Sequence, residues 1–355
     1  MDEKAQTRKT ALPVLGVNER MPPEWKPPAP AWSAVFATAS GLLVTGYFGT
    51  QLRGGADARE HLARMNRFFA ADDGPAVADA ARFVDRASVE TIVSIGYWTS
   101  PLAYERWLAG SGFAGWWSDT ARAREANGYF REVMTVPTDR VETIFSSRQV
   151  AGAARAMETI RGPVREHNYW GSMRQRMPIA SRDNLASPFG ESLPRMGTPA
   201  TEGRRIRVTA PENLVVIRSG QDWSECEEAE RAIYEESVRP ALVKGMDFLR
   251  DHPEQTGCCD MRLAQETDAA GAPLCKSFGM GFFLSLGHLE RWASSHPTHL
   301  AIFARFAGLV RQRQFKFALR LWHEVSVLPG AGQLFEYVNC HPSTGLLPYF
   351  PPEEF

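Results

Sequence analysis

The sequence is short of the features that announce a chemistry. It has 5 cysteines, at 226, 258, 259, 275 and 340, an odd number in no zinc-binding spacing. A disulfide framework and a cysteine-rich metal site are therefore not expected. Cys258 and Cys259 read as two unrelated thiols, and a reducing cytoplasm is the expected compartment. Excess charge is lacking too: 40 Lys and Arg against 41 Asp and Glu leave a net charge of -1. That balance gives no electrostatic footprint for nucleic acid or an anionic membrane. No apolar run approaches the ~18 residues of a membrane span, and the opening "MDEKAQTRKTALP" has no signal-peptide core. A glycine-rich phosphate loop, His-Glu-x-x-His and Cys-x-x-Cys-His are missing, so any haem would be held without thioether links.

What is present is a long chain with ample apolar material. The 355 residues suffice for two domains, and 44% are apolar. Twenty phenylalanines and 10 tryptophans suit either a well-filled core or a large flat apolar ligand.

Two parts of the chain resemble each other. "TIVSIGYWTSPLAYERWLAGSGFAGWW" and "GMGFFLSLGHLERWASSHPTHLAIFARF" each read as a strand, a turn, a helix with Glu-Arg-Trp, then more helix. Tyr104-Glu105-Arg106-Trp107 answers Leu289-Glu290-Arg291-Trp292, and "REVMTVP" (131–137) answers "HEVSVLP" (323–329). Upstream, "GLLVTGYFG" (41–49) and "NLVVIRSGQ" (213–221) are candidate first strands. The shared order argues for duplication. The expected fold is α+β: duplicated ferredoxin-like halves packing into a barrel-type core with helices outside. The expected divisions are a proline-rich arm (1–31), a first half (32–178), an irregular connector (179–212), a second half (213–342) and a tail (343–355).

A few polar residues stand out within this frame. In "SSHPTHLAIFARFAG" (294–308) the spacing predicts a helix from Thr298, with Phe303, Phe306 and Val310 on the face of His299. His299 is then a core or cap histidine, or a ligand aimed at something buried; His296, before Pro297, belongs to the helix entrance. "FKFALRLWHEVSVLP" alternates cleanly, which sets His323 in a row with Phe315, Phe317, Leu319, Leu321, Val325 and Val327. A histidine in such a row is either a satisfied sheet residue or a general acid–base. Ser219 ends an apolar row begun by Val215 and Ile217, and no Gly-x-Ser-x-Gly elbow surrounds it; it reads as a turn residue or a hydrogen-bonding group. Arg174 and Arg176 share a side if "HNYWGSMRQRMP" is extended, as a surface pair or an anion anchor. Glu142 in "DRVETIFSS" is a solvated carboxylate or a buried partner.

At "RSGQDW", "NYWGSMRQR", "HPTHLAIF" and "LRLWHEVSVLP" the chain resembles the haem-containing aldoxime dehydratases, which turn R–CH=N–OH into a nitrile and water. The likeness runs from about residue 30 to about residue 345. The resemblance implies haem b, ferrous when active, in a ferredoxin-like, dimeric α+β barrel arrangement, and hence a homodimer. It makes His299 the axial ligand and turns Phe303 and Phe306 into haem wall. Ser219, His323 and one arginine of the pair, taken as Arg176, map to the distal side; Glu142 matches the acidic partner of the distal histidine. The family pattern has an aspartate between the two arginines, where this chain has Gln175. The resemblance also implies that iron binds the aldoxime nitrogen while His323 works as acid and base. Two rival expectations belong to other classes: a haem peroxidase or chlorite-decomposing oxidoreductase on a related barrel, and a non-enzymatic haem sensor or haem-free binder.

Overall fold

The structure, a computed structural model, describes residues 21–197 and 199–355, so most of the expected proline-rich arm lies outside the described residues. Among the described residues twelve strands join in one sheet. Their order across it is Pro352–Glu354, Arg205–Val208, Gln333–Val338, Gly128–Pro137, Leu42–Gln51, Glu90–Trp98, Val77–Val84, Cys258–Thr267, Pro273–Phe283, Val215–Asp222, Arg320–Val327, Val141–Phe145. Each pairing is antiparallel.

Two stretches run through the same succession of elements. Strand Leu42–Gln51 leads to helix Ala58–Phe69, strands Val77–Val84 and Glu90–Trp98, helices Pro101–Gly110 and Phe113–Ser118, and strand Gly128–Pro137. Strand Val215–Asp222 leads to helices Glu228–Ile233 and Arg239–Asp251, strands Cys258–Thr267 and Pro273–Phe283, helices Leu286–Ser295 and Pro297–Gln312, and strand Arg320–Val327. In each stretch the first strand lies between the third and the fourth. The tryptophans of the repeated Glu-Arg-Trp, Trp107 and Trp292, are both buried on helices.

The two stretches also trade strands. Val141–Phe145 pairs with Arg320–Val327, and Gln333–Val338 pairs with Gly128–Pro137. Beyond them, Arg205–Val208 and Pro352–Glu354 extend one edge, so the expected irregular connector and the tail each supply a strand.

Alternation along the strands divides the side chains between two layers. Tyr47, Ile95 and Phe130 from the first stretch meet Phe278, Phe282 and Trp322 from the second in a shared core. The other faces bury their apolar residues under helices: Phe48 and Trp98 beneath Trp107 and Phe113, and Val215, Ile217 and Val325 beneath Met246, Leu289 and Trp292. Each fully buried large side chain contributes roughly 1.5–3 kcal/mol. Charges inside the shared core are paired, as burial demands. Arg262 donates to both oxygens of Glu132 at 2.7 Å, and Glu324 accepts the Ala153 N–H at 2.7 Å as well as the Tyr97 hydroxyl.

The alternating row predicted from Phe315 is shorter than expected. Its strand starts at Arg320, while Gln314 and Phe315 adopt positive φ (51° and 63°) and end the preceding helix. Left-handed backbone breaks both helix and strand, and it leaves Phe315 70% exposed.

Candidate active site

Helix Pro297–Gln312 opens on its own cap. His296 is the N-cap, accepts the Thr298 N–H, and packs its ring on Phe248 with centroids 4.3 Å apart. Pro297 at the first position suits a helix start, because its missing N–H would have no partner there. His296 therefore serves the helix entrance.

His299 does not. Its ring lies edge-on to Trp292 (4.8 Å) and to Trp170 (6.1 Å), and its Nδ1 is buried without a hydrogen-bond partner. Burial pushes the imidazole pKa below its ordinary value; the Ala293 carbonyl opposes this and the His323 ring adds to it. The neutral form, the one that ligates metals, thus prevails at neutral pH. Trp292 also packs in one cluster with Ile217 and Val325, the same-face neighbours of Ser219 and His323, so the two imidazoles share one region of the molecule.

The apolar stripe expected beside His299 divides. Phe306 packs edge-on against Phe317, in a cluster with Leu309 and Leu319. Phe303 is 52% exposed, with Trp170, itself 53% exposed, 6.5 Å away. One side of the helix thus packs on this cluster, while on another His299 is half-buried against Trp292 and Trp170, and Phe303 is exposed. Phe306 does not join Phe303 as the sequence suggested, because a face set by 3.6-residue periodicity is wide enough to serve two neighbours.

His323 is set by the sheet. It stands directly opposite Ser219 on one side and Ile144 on the other, so all three project from the same face. Directly opposed residues have Cβ atoms ~4.5–5.5 Å apart, which brings the Ser219 hydroxyl and the imidazole within reach of one small molecule. Glu142, two residues before Ile144, shares the face. Opposite Ser219 on its other side is Gly279, where a Cβ would meet Met246 Sδ at 2.8 Å. The missing side chain at Gly279 leaves room for Met246 of the Arg239–Asp251 helix to pack there.

Ser172–Arg176 is a short helix rather than extended chain, and it sends its two arginines apart. Arg174 donates to Glu290 (3.0 Å) and to the Asn184 carbonyl (2.5 Å). Arg176 donates to Glu142 Oε2 (2.7 Å), to the Glu166 carbonyl, and to His323 Nε2 (3.0 Å). Residues two apart on a helix diverge by about 200°, so Arg176 alone reaches His323.

His323 Nε2 also lies 2.9 Å from Glu142 Oε1. These two contacts compete for one nitrogen. While Nε2 carries a lone pair it accepts from Arg176, and Glu142 Oε1 has no donor aimed at it. Once His323 is protonated, Nε2–H can donate to Glu142. Burial alone would raise the Glu142 pKa, but Arg176 and His323 more than reverse that and hold it below the ordinary carboxylate range. Glu142 stays charged and stabilises the imidazolium. His323 Nδ1 has no hydrogen bond among the described residues and is the nitrogen left for a substrate. The arrangement can give and take a proton at Nδ1 while its charge is balanced behind the ring.

The residues present fit a haem. His299 offers a neutral imidazole beside the exposed rings of Trp170 and Phe303, and Ser219, His323 and Arg176 supply a polar counterpart. Trp170 and Trp292, which flank the imidazole, were not singled out from the sequence. Trp292 belongs to the preceding helix, and because the helical run breaks at His296 and Pro297 no helical spacing in the sequence linked it to His299.

A mixed helix-and-sheet protein with a buried, unbonded imidazole nitrogen among aromatic rings, and a histidine backed by an arginine and a glutamate, has the makings of a haem site. The chain belongs to the haem-containing dehydratase family, whose description matches residues 46–346. It is 39% identical to the aliphatic aldoxime dehydratase of Pseudomonas chlororaphis over 93% of this chain and 94% of that one. It is 38% identical to the phenylacetaldoxime dehydratase of Bacillus sp. (strain OxB-1), covering 94% of this chain and 95% of that one. A crystal structure of an aldoxime dehydratase in complex with butyraldoxime superposes with a TM-score of 0.83, at 36% identity and 91% and 90% coverage. A second aldoxime dehydratase structure gives 0.84, at 38% identity and 92% and 93% coverage. Among the described residues no helix is long and apolar enough to cross a membrane.

Proposed function

We propose that the protein dehydrates aldoximes, R–CH=N–OH, to nitriles with haem as its cofactor. The observation that carries this reading is His323, backed at Nε2 by Arg176 and Glu142 and sharing a region with the unpartnered His299. Family membership and two relatives that carry aldoxime dehydratase names support it.

His299 would hold the iron, and Phe303 and Trp170 would flank the porphyrin. When bound, ferrous haem supplies a site for the oxime nitrogen and electron density that weakens the N–O bond. The rest falls to this chain's side chains. Ser219 hydrogen-bonds the oxime oxygen and fixes its direction. His323 gives the Nδ1 proton to the departing hydroxyl, which leaves as water. The neutral ring then takes the hydrogen from the C=N carbon, and the C≡N bond forms. Glu142 accepts from Nε2–H in both charge states of the ring, which leaves the Nδ1 lone pair free once the proton is given, and Arg176 holds the Glu142 carboxylate in place. Acid–base help of this kind is worth ~10²–10⁴ in rate.

The finer architecture belongs to the same reading. The two stretches are ferredoxin-like copies, 32–178 and 213–342, closing a barrel-type core; the repeated element succession and the matching strand orders support this. The haem is haem b, supported by the missing Cys-x-x-Cys-His. The expected homodimer and reducing compartment follow the family resemblance and the free cysteines.

The experiment is anaerobic incubation of the dithionite-reduced, haem-loaded protein with butyraldoxime, followed by gas chromatography. Butyronitrile with no peroxide consumed is the expected product. A haem-loaded protein that turns over peroxide but no aliphatic or aryl aldoxime overturns the proposal.

A further inference from the structure

A cleft of about 500 Å³ opens on a different part of the molecule, with neither His299 nor His323 in its walls. Small-molecule sites typically span ~300–1,000 Å³. Trp322 lines it, on the opposite face of its strand from His323, so the cleft and the candidate active site stand back to back.

Most charges around the cleft are already answered. Asp79 pairs with Arg155 (2.6 Å) and Arg218 (3.1 Å), and Asp222 with Arg320 (2.9 Å) and Lys276 (3.6 Å). The Asp268 carboxylate accepts the Ala270 and Ala272 N–H groups at 2.9 Å. Glu266 is the exception: among the described residues its carboxylate has no hydrogen bond and no ion pair. Its neighbour Thr267 is only 6% exposed, yet its Oγ1 has no partner.

Consecutive strand residues ordinarily face opposite ways. Here the register with the neighbouring strand shifts between Gln265 and Thr267, and both Glu266 and Thr267 line the cleft. Shifts of this kind re-aim side chains and recur beside functional sites. A buried hydroxyl without a partner and a half-buried carboxylate without a direct ion pair each cost free energy. Burial, with Asp79 and Asp222 adding to it against Arg218 and Lys276, lifts the Glu266 pKa above the ordinary range.

We infer that the cleft is a second ligand site and takes a primary alkylammonium ion. An ammonium carries three donors and full positive charge, so one headgroup can answer the Glu266 carboxylate. Phe69 and the Trp322 indole offer aromatic surface to its chain. An anion would find the cleft's guanidinium groups already engaged and Glu266 still uncompensated. The site is independent of the dehydratase reading.

Isothermal titration of the full-length, haem-loaded protein with n-butylammonium chloride tests the inference. The expected result is one saturable site per chain, an unmoved Soret band, and no comparable binding of n-butanol or butyrate. Glu266→Gln should weaken binding ~10-fold or more, equivalent to ~1.4 kcal/mol. Leu274→Trp, which fills the cleft from a residue already 37% exposed, should weaken it as well, with thermal melts confirming that both variants fold. Absence of saturation up to about 10 mM, a level near the weak end of specific binding, overturns the proposal. So do equal affinity in both variants, equal binding of n-butanol, or binding that tracks a Soret shift, which would place the amine on iron.

Discussion

Arg176 and Glu142 are joined by a 2.7 Å charge-assisted hydrogen bond between side chains that are 1% and 0% exposed. Removing one partner of such a pair strands a charge in the interior, at a cost of ~3–5 kcal/mol. Arg176→Met should therefore lower stability by about that much in denaturant unfolding at neutral pH. Adding Glu142→Gln should recover part of the loss. A double variant that recovers nothing would show that the two residues are not energetically coupled.

His299→Ala should abolish haem retention. The imidazole is half-buried against Trp292 and Trp170, and among the described residues its buried Nδ1 makes no hydrogen bond. Soret absorbance per mole of protein after haem loading and gel filtration measures this. Wild-type haem content in the variant would move the ligand elsewhere.

His323→Ala should keep haem and lose most turnover, by ~10²–10⁴ in kcat. The ring is held by contacts at Nε2 alone, so its removal leaves the His299 helix untouched. Near wild-type kcat in the variant would end the acid–base role.

Ser219→Ala deletes one hydroxyl opposite His323 and should cost ~0.5–1.5 kcal/mol in kcat/KM, the worth of a neutral hydrogen bond. Stopped-flow kinetics with butyraldoxime and phenylacetaldoxime give the value. Unchanged kinetics with both substrates would make Ser219 a sheet residue with no part in binding.

Much of this site was legible because period-2 and period-3.6 patterns report directly on faces. The alternation through Leu321, His323 and Val325 put His323 on one side of a strand, and the structure pairs that position with Ser219. The helix stripe gave His299 its element, but not its surroundings: periodicity cannot say which neighbour a face meets, and so Phe306 went to Phe317 while Phe303 stayed uncovered. Arg174 and Arg176 were indistinguishable in an extended reading; only the turn of the short Ser172–Arg176 helix separates them. Trading of Val141–Phe145 and Gln333–Val338 between the two stretches was also hidden, because strand pairing at such sequence separation leaves no local mark. That trade is what brings Glu142 beside His323.

Acid should weaken the protein in part through Glu142. Its folded pKa is depressed, since Arg176 and His323 outweigh the effect of burial. In the unfolded chain a glutamate titrates near its ordinary value of ~4.3. A depressed folded pKa means that the unfolded state binds the proton first as pH falls. The contribution of the charged carboxylate is therefore complete above the unfolded value and is lost as pH drops through the folded one. Glu142→Gln cannot titrate, so its stability deficit relative to the wild type should be largest at neutral pH and shrink as pH falls below ~4.3. Taking the difference between the two proteins cancels the opposing effects of Glu132 and Glu324, whose pKa values burial raises. Denaturant unfolding of both proteins from pH 7 downwards measures the deficit. A deficit that stays constant or grows in acid would mean that Glu142 is not held ionised by Arg176 and His323.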